Sequence, residues 1–205
     1  MRAASAAVIV LVAPFSLGAQ GTSYSIDSQQ SKVEIHVGKQ GAFSAFGHDH
    51  LVAAKKVSGD AKFDAQKLDQ SSVRLKIPTK SVTVIDPGES EKDRKEVQAT
   101  MESDKVLDVA KFPDITFTST SVSHAKKISD GWELTLAGTL NLHGVEKPVT
   151  FPLRVNANAN ELQGKGELSV LQTDYGITPV KAGGGTVKVK DELKITFTIV
   201  AAKDH

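Results

Sequence analysis

Apolar and polar residues alternate along most of the chain after Tyr24, and this pattern constrains the fold more than any other feature. The alternation is longest from Trp132 to Leu142, where every second residue is Trp, Leu or Gly. Shorter runs of the same period begin at Val33, Val73, Val149 and Leu193. Successive side chains on a strand point to opposite faces, so each segment has one apolar and one polar face. This pattern is typical of antiparallel sheet with one face in water.

Turn-forming residues separate the alternating segments. Examples are Ser58-Gly59-Asp60, Ser129-Asp130-Gly131, the Asn-rich stretch 156–160 and the glycine-rich stretch 182–185. The spacing gives about eight short strands, a number that usually closes into a barrel or splits into a sandwich. We therefore predict an all-β, antiparallel fold.

One segment departs from the alternation. The stretch from Glu91 to Met101 is rich in helix-forming residues, and Val97 and Met101 stand four residues apart, on one face of a helix. Strand-like sequence resumes after Phe112-Pro113. We predict one short helix that lies across the sheet.

The N-terminus has the features of a secretory signal peptide. Arg2 is followed by an apolar run over residues 6–13 and by small residues around Ala19. The apolar run is too short to span a bilayer, which takes about 20 residues. We predict that residues 1–19 are removed on export, that residues 20–205 form one domain, and that the mature protein has no transmembrane segment. The chain has no cysteine, which rules out disulfides.

Charge and motif content argue against nucleic-acid binding and against catalysis. The chain has 25 basic and 24 acidic side chains, without the basic excess that nucleic-acid binding needs. It contains neither a Gly-x-Ser-x-Gly nucleophile elbow nor a His-Glu-x-x-His zinc helix. The carboxylates are dispersed among Lys and Arg. We predict a protein that is not an enzyme and does not bind nucleic acid.

Four segments of the chain resemble the YceI-like family, in the same order. They are residues 24–33, 93–117, 138–149 and 174–177, and the similarity extends over about residues 24–201. The resemblance implies an eight-stranded antiparallel lipocalin-like barrel in the bacterial periplasm. It also implies an apolar lipid ligand inside the barrel, such as an isoprenoid quinone or a polyprenol. It leaves the oligomeric state open.

The predicted ligand-binding residues are the apolar members of the alternating segments, which would face the barrel interior. An eight-stranded barrel can hold one small ligand or be filled by its own side chains, and the pattern alone leaves both open. The predicted residues are Val33, Ile35, Val37, Leu75, Ile77, Phe117, Leu134, Leu136, Leu140, Phe151, Leu153 and Phe197.

The segment from Phe43 to His50 differs from the second strand of many family members, because it contains two histidines. His48 and His50 would project to the same side of a strand, and with a third ligand such as His36 or His143 they could bind Zn²⁺ or Cu²⁺. The alternative, which we favour, is a structural role with no metal. A stress-related barrel without any ligand is a further alternative.

Overall fold

The structure is a computed structural model that describes residues 21–40, 49–182 and 187–204. The predicted signal peptide, His48 and the glycine run 183–185 lie outside the described residues. The strands are β1 Thr22–Ile26, β2 Lys32–Gln40, β3 His50–Ala54, β4 Ser58–Phe63, β5 Ser72–Pro78, β6 Val82–Val84, β7 Asp114–Ile128, β8 Gly131–Leu142, β9 Val145–Ala157, β10 Glu161–Leu171, β11 Lys181–Ala182 and β12 Val187–Lys203. The α-helix, α1, is Glu91–Glu102, and 3₁₀ turns occupy Leu68–Gln70, Thr79–Ser81 and Gln172–Tyr175.

The strands form a closed antiparallel barrel with eight positions around the ring. Three positions are each occupied by two strands placed end to end, namely β1 with β2, β4 with β3, and β5 with β6. In one half of the barrel β1 pairs with β4 and β4 with β5, and in the other half β2 pairs with β3 and β3 with β6. The other five positions hold β7, β8, β9, β10 and β12 in that order. The ring closes because β12 pairs with β2 and, further along, with β1. The predicted all-β, eight-stranded antiparallel barrel with one short helix is confirmed.

The alternation along β8 has the predicted orientation. Leu134 and Leu136 are buried in the interior. Glu133, which precedes Leu134, points outward and forms an ion pair with Arg154 of β9 at 2.6 Å. Gly138 continues the inward row, and a Cβ there would overlap the ring of Phe117. A glycine at this inward position therefore makes room for an aromatic ring on the next strand.

One predicted turn is wrong. Ser58-Gly59-Asp60 lies within β4, and the chain bends earlier, over residues 55–57. Gly59 has φ of +142°, and a Cβ at this position would overlap the carbonyl oxygen of Arg74 on β5. The glycine thus permits close approach of two paired strands. Its role does not involve reversing the chain.

The predicted helix is confirmed, with its end one residue beyond Met101. Ser90 caps its N-terminus by accepting a hydrogen bond from the backbone N–H of Asp93 at 3.1 Å. Gln98 ties the helix to β6, since its Oε1 accepts from Val84 N at 2.8 Å and its Nε2 donates to Val82 O at 2.9 Å. These bonds hold α1 against one end of the barrel.

The register defines two ends of the barrel, the helix end and the Trp132 end. The helix end contains α1, the start of β3 and the turn between β8 and β9. The Trp132 end contains the turn at residues 129–130, the turn at residues 158–160 and the end of β12. A long ligand in the barrel would reach from one end to the other.

Candidate binding cavity

The barrel encloses a cavity of about 670 Å³. This volume falls in the range of about 300–1,000 Å³ that is usual for small-molecule sites. Most of the lining side chains are Val, Leu, Ile and Phe, with a small number of polar groups. The barrel's own side chains therefore leave space in the interior. The sequence had left undecided whether the interior holds such a cavity or is filled.

All twelve predicted ligand-binding residues lie in the lining of this cavity. Paired residues of neighbouring strands share a face, and the register places Leu136 opposite Phe151 and Ile35 opposite Ile195. The inward parity of one strand thus continues into the next all around the ring. Their contact with a ligand remains a prediction, because the structure shows only where they lie.

At the Trp132 end, aromatic side chains pack against one another. Phe63 meets Trp132 edge to face with ring centroids 5.1 Å apart. Phe151 lies between Phe117 and Phe197, with centroid distances of 5.6 Å to each. Such pairs are stabilising beyond the area they bury, by about 0.5–1.5 kcal/mol. The rings belong to one hydrophobic cluster in this part of the barrel.

At the helix end, the lining includes residues that the sequence analysis did not assign to the site. From α1 and the loop after it, these residues include Val97, Thr100, Met101, Val106 and Leu107. From β3, β6 and the loop after the 3₁₀ turn Gln172–Tyr175, they include Val52, Val82 and Ile177. Val97 and Met101 carried a usable signal, since their spacing marked one helix face. The short strands β3 and β6 carried almost none, because alternation over three to five residues is weak evidence.

His50 is a polar member of the lining at the helix end. It pairs with Val37 in the register, so its side chain shares the inward face. Its Nδ1 lies 2.6 Å from Oδ2 of Asp86, whose other carboxylate oxygen accepts a hydrogen bond from Leu51 N. Asp86 is only 4% exposed, and the guanidinium of Arg94 donates to its backbone carbonyl at 3.2 Å. The buried carboxylate of Asp86 therefore fixes the Nδ1 edge of the His50 imidazole.

Among the described residues, which exclude His48, the proposed metal ligands His36 and His50 are not brought together. His36 pairs with Leu51 and is exposed on the outer face of the barrel, opposite to the side that His50 faces. His143 occupies the tight turn between β8 and β9 with φ of +53°. Its Nδ1 donates to Tyr175 O at 3.1 Å, and its ring packs at a tilt against Phe112 with centroids 4.3 Å apart. Among the described residues, no three His, Cys, Asp or Glu side chains are grouped as a metal site would require.

A 3₁₀ turn at Gln172–Tyr175 closes part of the helix end. Gln172 lines the cavity and donates from Nε2 to Lys190 O at 2.7 Å. Asp191 accepts hydrogen bonds from the hydroxyl and the N–H of Thr173. Both bonds lower the pKa of its carboxyl, and the bond from the hydroxyl has the larger effect. Burial, followed by the nearby charge of Asp174, raises the pKa of Tyr175. These contacts fix the turn to the start of β12.

The cavity, the barrel topology and the helix position can be compared with known proteins. A sequence model of the YceI-like domain matches residues 24–201. This match spans nearly all the described residues. The chain belongs to the YceI-like family. Proteins named YceI from Salmonella newport and Salmonella arizonae are each 34% identical to it over 139 residues, which are 64% of this chain and 66% of each relative.

Solved structures of similar shape have the same fold. The crystal structure of BcnA from Burkholderia cenocepacia aligns with a TM-score of 0.67 at 24% identity, over 86% of this YceI-like chain and 99% of BcnA. A YceI protein from Campylobacter jejuni aligns with a TM-score of 0.56 at 16% identity, over 75% and 85% of the two chains. Within the part of the chain that the structure describes, no helix combines the length and apolar character that crossing a membrane requires.

Proposed function

We propose that this protein is an exported, non-enzymatic binding protein that holds a long apolar molecule, such as an isoprenoid quinone or a polyprenol, inside its barrel. The observation that carries the proposal is the cavity of about 670 Å³ with its mainly aliphatic and aromatic lining. Family membership supports it, since a closed barrel with an open interior is suited to enclosing a ligand. The apolar run near the N-terminus supports export to the periplasm.

The energetics of such binding are favourable. A ligand that buries about 500 Å² of apolar surface gains about 12 kcal/mol before costs. Association and ordering remove about 4–15 kcal/mol, so micromolar to nanomolar affinity is within reach for a preformed cavity. Few polar groups in the lining need to lose their water when an apolar chain enters. The cavity therefore favours ligands by shape and apolar area.

The test compares an inward residue with its outward neighbour on β8. Leu136→Thr adds a hydroxyl to the cavity wall, whereas Thr135→Val changes the outer face. An unpaired buried hydroxyl costs about 1–3 kcal/mol, so we expect Leu136→Thr to weaken the binding of a fluorescent apolar probe severalfold. Thr135→Val should leave that binding unchanged. Equal affinity in the wild type and a folded Leu136→Thr variant would contradict the proposal.

A further inference from the structure

The polar groups at the helix end suggest how a ligand is oriented in the cavity. We propose that His50, oriented by Asp86, is a head-group site that accepts a hydrogen bond from a hydroxyl at the polar end of the ligand. The inference rests on the proposed function, because it assumes that an apolar chain occupies the barrel. It adds a direction, with the head at the helix end and the tail toward the Trp132 end.

The contacts of Asp86 determine which nitrogen of the His50 imidazole carries a proton. The carboxylate of Asp86 accepts a hydrogen bond from Leu51 N, and its other oxygen lies 2.6 Å from Nδ1 of His50. An ionised carboxylate only accepts hydrogen bonds, so the proton between Asp86 and His50 belongs to Nδ1 of the imidazole. In the neutral ring, the other nitrogen, Nε2, is then an acceptor.

The acceptor Nε2 belongs to a side chain in the cavity wall. The side chain of His50 is 22% exposed and forms part of the cavity wall, whereas the carboxylate behind it is 6% exposed. Val97 and Met101 of α1 line the same end, so a group that meets Nε2 lies beside an apolar surface. A hydrogen bond in such surroundings is stronger than one in water.

The acceptor Nε2 also limits the chemical class of the ligand's polar end. A neutral acceptor at Nε2 pairs with a donor, so an alcohol or a phenol fits, while an ether of the same length does not. Lys39, Lys188 and Glu96 also line this end of the cavity, and their charges are of both signs. The arrangement therefore favours a neutral hydroxyl over a strongly charged head group.

The experiment compares hexadecanol with its methyl ether, each competing with N-phenylnaphthylamine for the purified protein at alkaline pH, where imidazole is neutral. We expect the alcohol to bind about three- to tenfold more tightly than the ether, the effect of one hydrogen bond. Equal affinities would overturn the head-group site and leave the proposed function intact. Displacement by neither compound would overturn the proposed function as well.

Asp86→Asn provides a specific readout for the positioning residue. The amide oxygen still accepts from Leu51 N, but the amide NH₂ donates to Nδ1 and moves the ring proton to Nε2. Both oxygens can accept from Nε2–H, so we expect the alcohol-to-ether preference to fall to about one. His36→Asn, on the outer face of the neighbouring strand, should keep the wild-type preference. An unchanged preference in folded Asp86→Asn would overturn the assignment.

A measurement on the wild-type protein does not depend on any variant. The ¹⁵N chemical shifts of the His50 ring report which nitrogen carries the proton. We expect the proton on Nδ1 at alkaline pH. A ring protonated on Nε2 would overturn the proposal, since it could not accept from a hydroxyl at that atom.

Discussion

At the Trp132 end aromatic rings in mutual contact surround the interior, whereas at the helix end it is bounded by aliphatic side chains, α1 and the His50–Asp86 pair. Phe151 contacts two other rings and is 6% exposed, while Met101 of α1 is half-buried. The first region belongs to long strands, of which β8 and β9 pair without interruption. The second is assembled from short strands, a helix and side-chain hydrogen bonds.

The difference assigns separate tasks to the two ends. The uninterrupted ladder between β8 and β9 and the packed rings make the Trp132 end the more stable part of the barrel. The helix α1 is held by the hydrogen bonds of Gln98 and Arg94 and by apolar contacts of Val97 and Met101, so we expect its amides to exchange faster than those of β8. In the proposed function, the tail of the ligand rests against the aromatic rings.

The largest expected effect is at the Trp132 end. Phe151→Ala removes a buried ring from the aromatic group and leaves a cavity, so the free energy of unfolding should fall by about 3–5 kcal/mol. Met101→Ala at the helix end should cost about 1–2 kcal/mol, because the side chain is only partly buried. Urea denaturation of both variants measures the contrast. Equal losses would remove the distinction between the ends.

The attachment of α1 is tested by Gln98→Ala, which deletes the hydrogen bonds to the backbone of Val82 and Val84 in β6. We expect a loss of about 1–2 kcal/mol and faster hydrogen exchange in α1, with little change in β8. Lys95→Ala is the control, since Lys95 is on the exposed face and its ion pair with Glu91 is worth little. If exchange in α1 is unaffected by Gln98→Ala, the helix is held by other contacts.

The start of α1 gives a smaller effect. Ser90→Ala removes the N-cap and should lower stability by about 1 kcal/mol, while Ser90→Thr should restore most of it. Circular dichroism and thermal unfolding check the two variants. A stability for Ser90→Ala equal to that of the wild type would mean that the helix N-terminus does not depend on this cap.

The smallest effect depends on pH. Burial raises the pKa of Tyr175, so the folded-state value lies above the unfolded value of about 10. Its contribution to stability is full below the unfolded pKa and is lost as pH rises through the folded pKa. Tyr175→Phe should therefore lose less stability than the wild type in that alkaline range, as measured by denaturation at a series of pH values. Parallel curves would contradict a role for this phenol.

The strands and the inward residues were predictable because they depend on local patterns. Alternation over the eleven residues from Trp132 to Leu142 fixes which side chains share a face, and a barrel makes one face the interior. The helix was predictable from composition and from the spacing of Val97 and Met101. The family resemblance added closure into a ring, which alternation alone could not distinguish from a sandwich.

The polar site was beyond the sequence because it depends on register. His36 and His50 each belong to an alternating segment, but only the pairing of Val37 with His50 reveals that the two histidines face opposite sides. Asp86 precedes Pro87-Gly88 and has the sequence context of an ordinary loop residue. Its burial follows from the continuation of the β3–β6 pairing, in which Ile85 N donates to Leu51 O at 2.8 Å.

The most direct test of the central claim is native mass spectrometry of the exported protein, purified without detergent from the cells that make it. The account predicts a complex heavier than the processed chain, which on unfolding releases one apolar molecule that organic solvent extracts. Phe151 and its neighbouring rings would be in contact with its tail, so the released molecule should also quench or shift their signals when it is added back. A spectrum that contains only the bare chain, together with no rebinding of the cell's extracted lipids, would contradict the account.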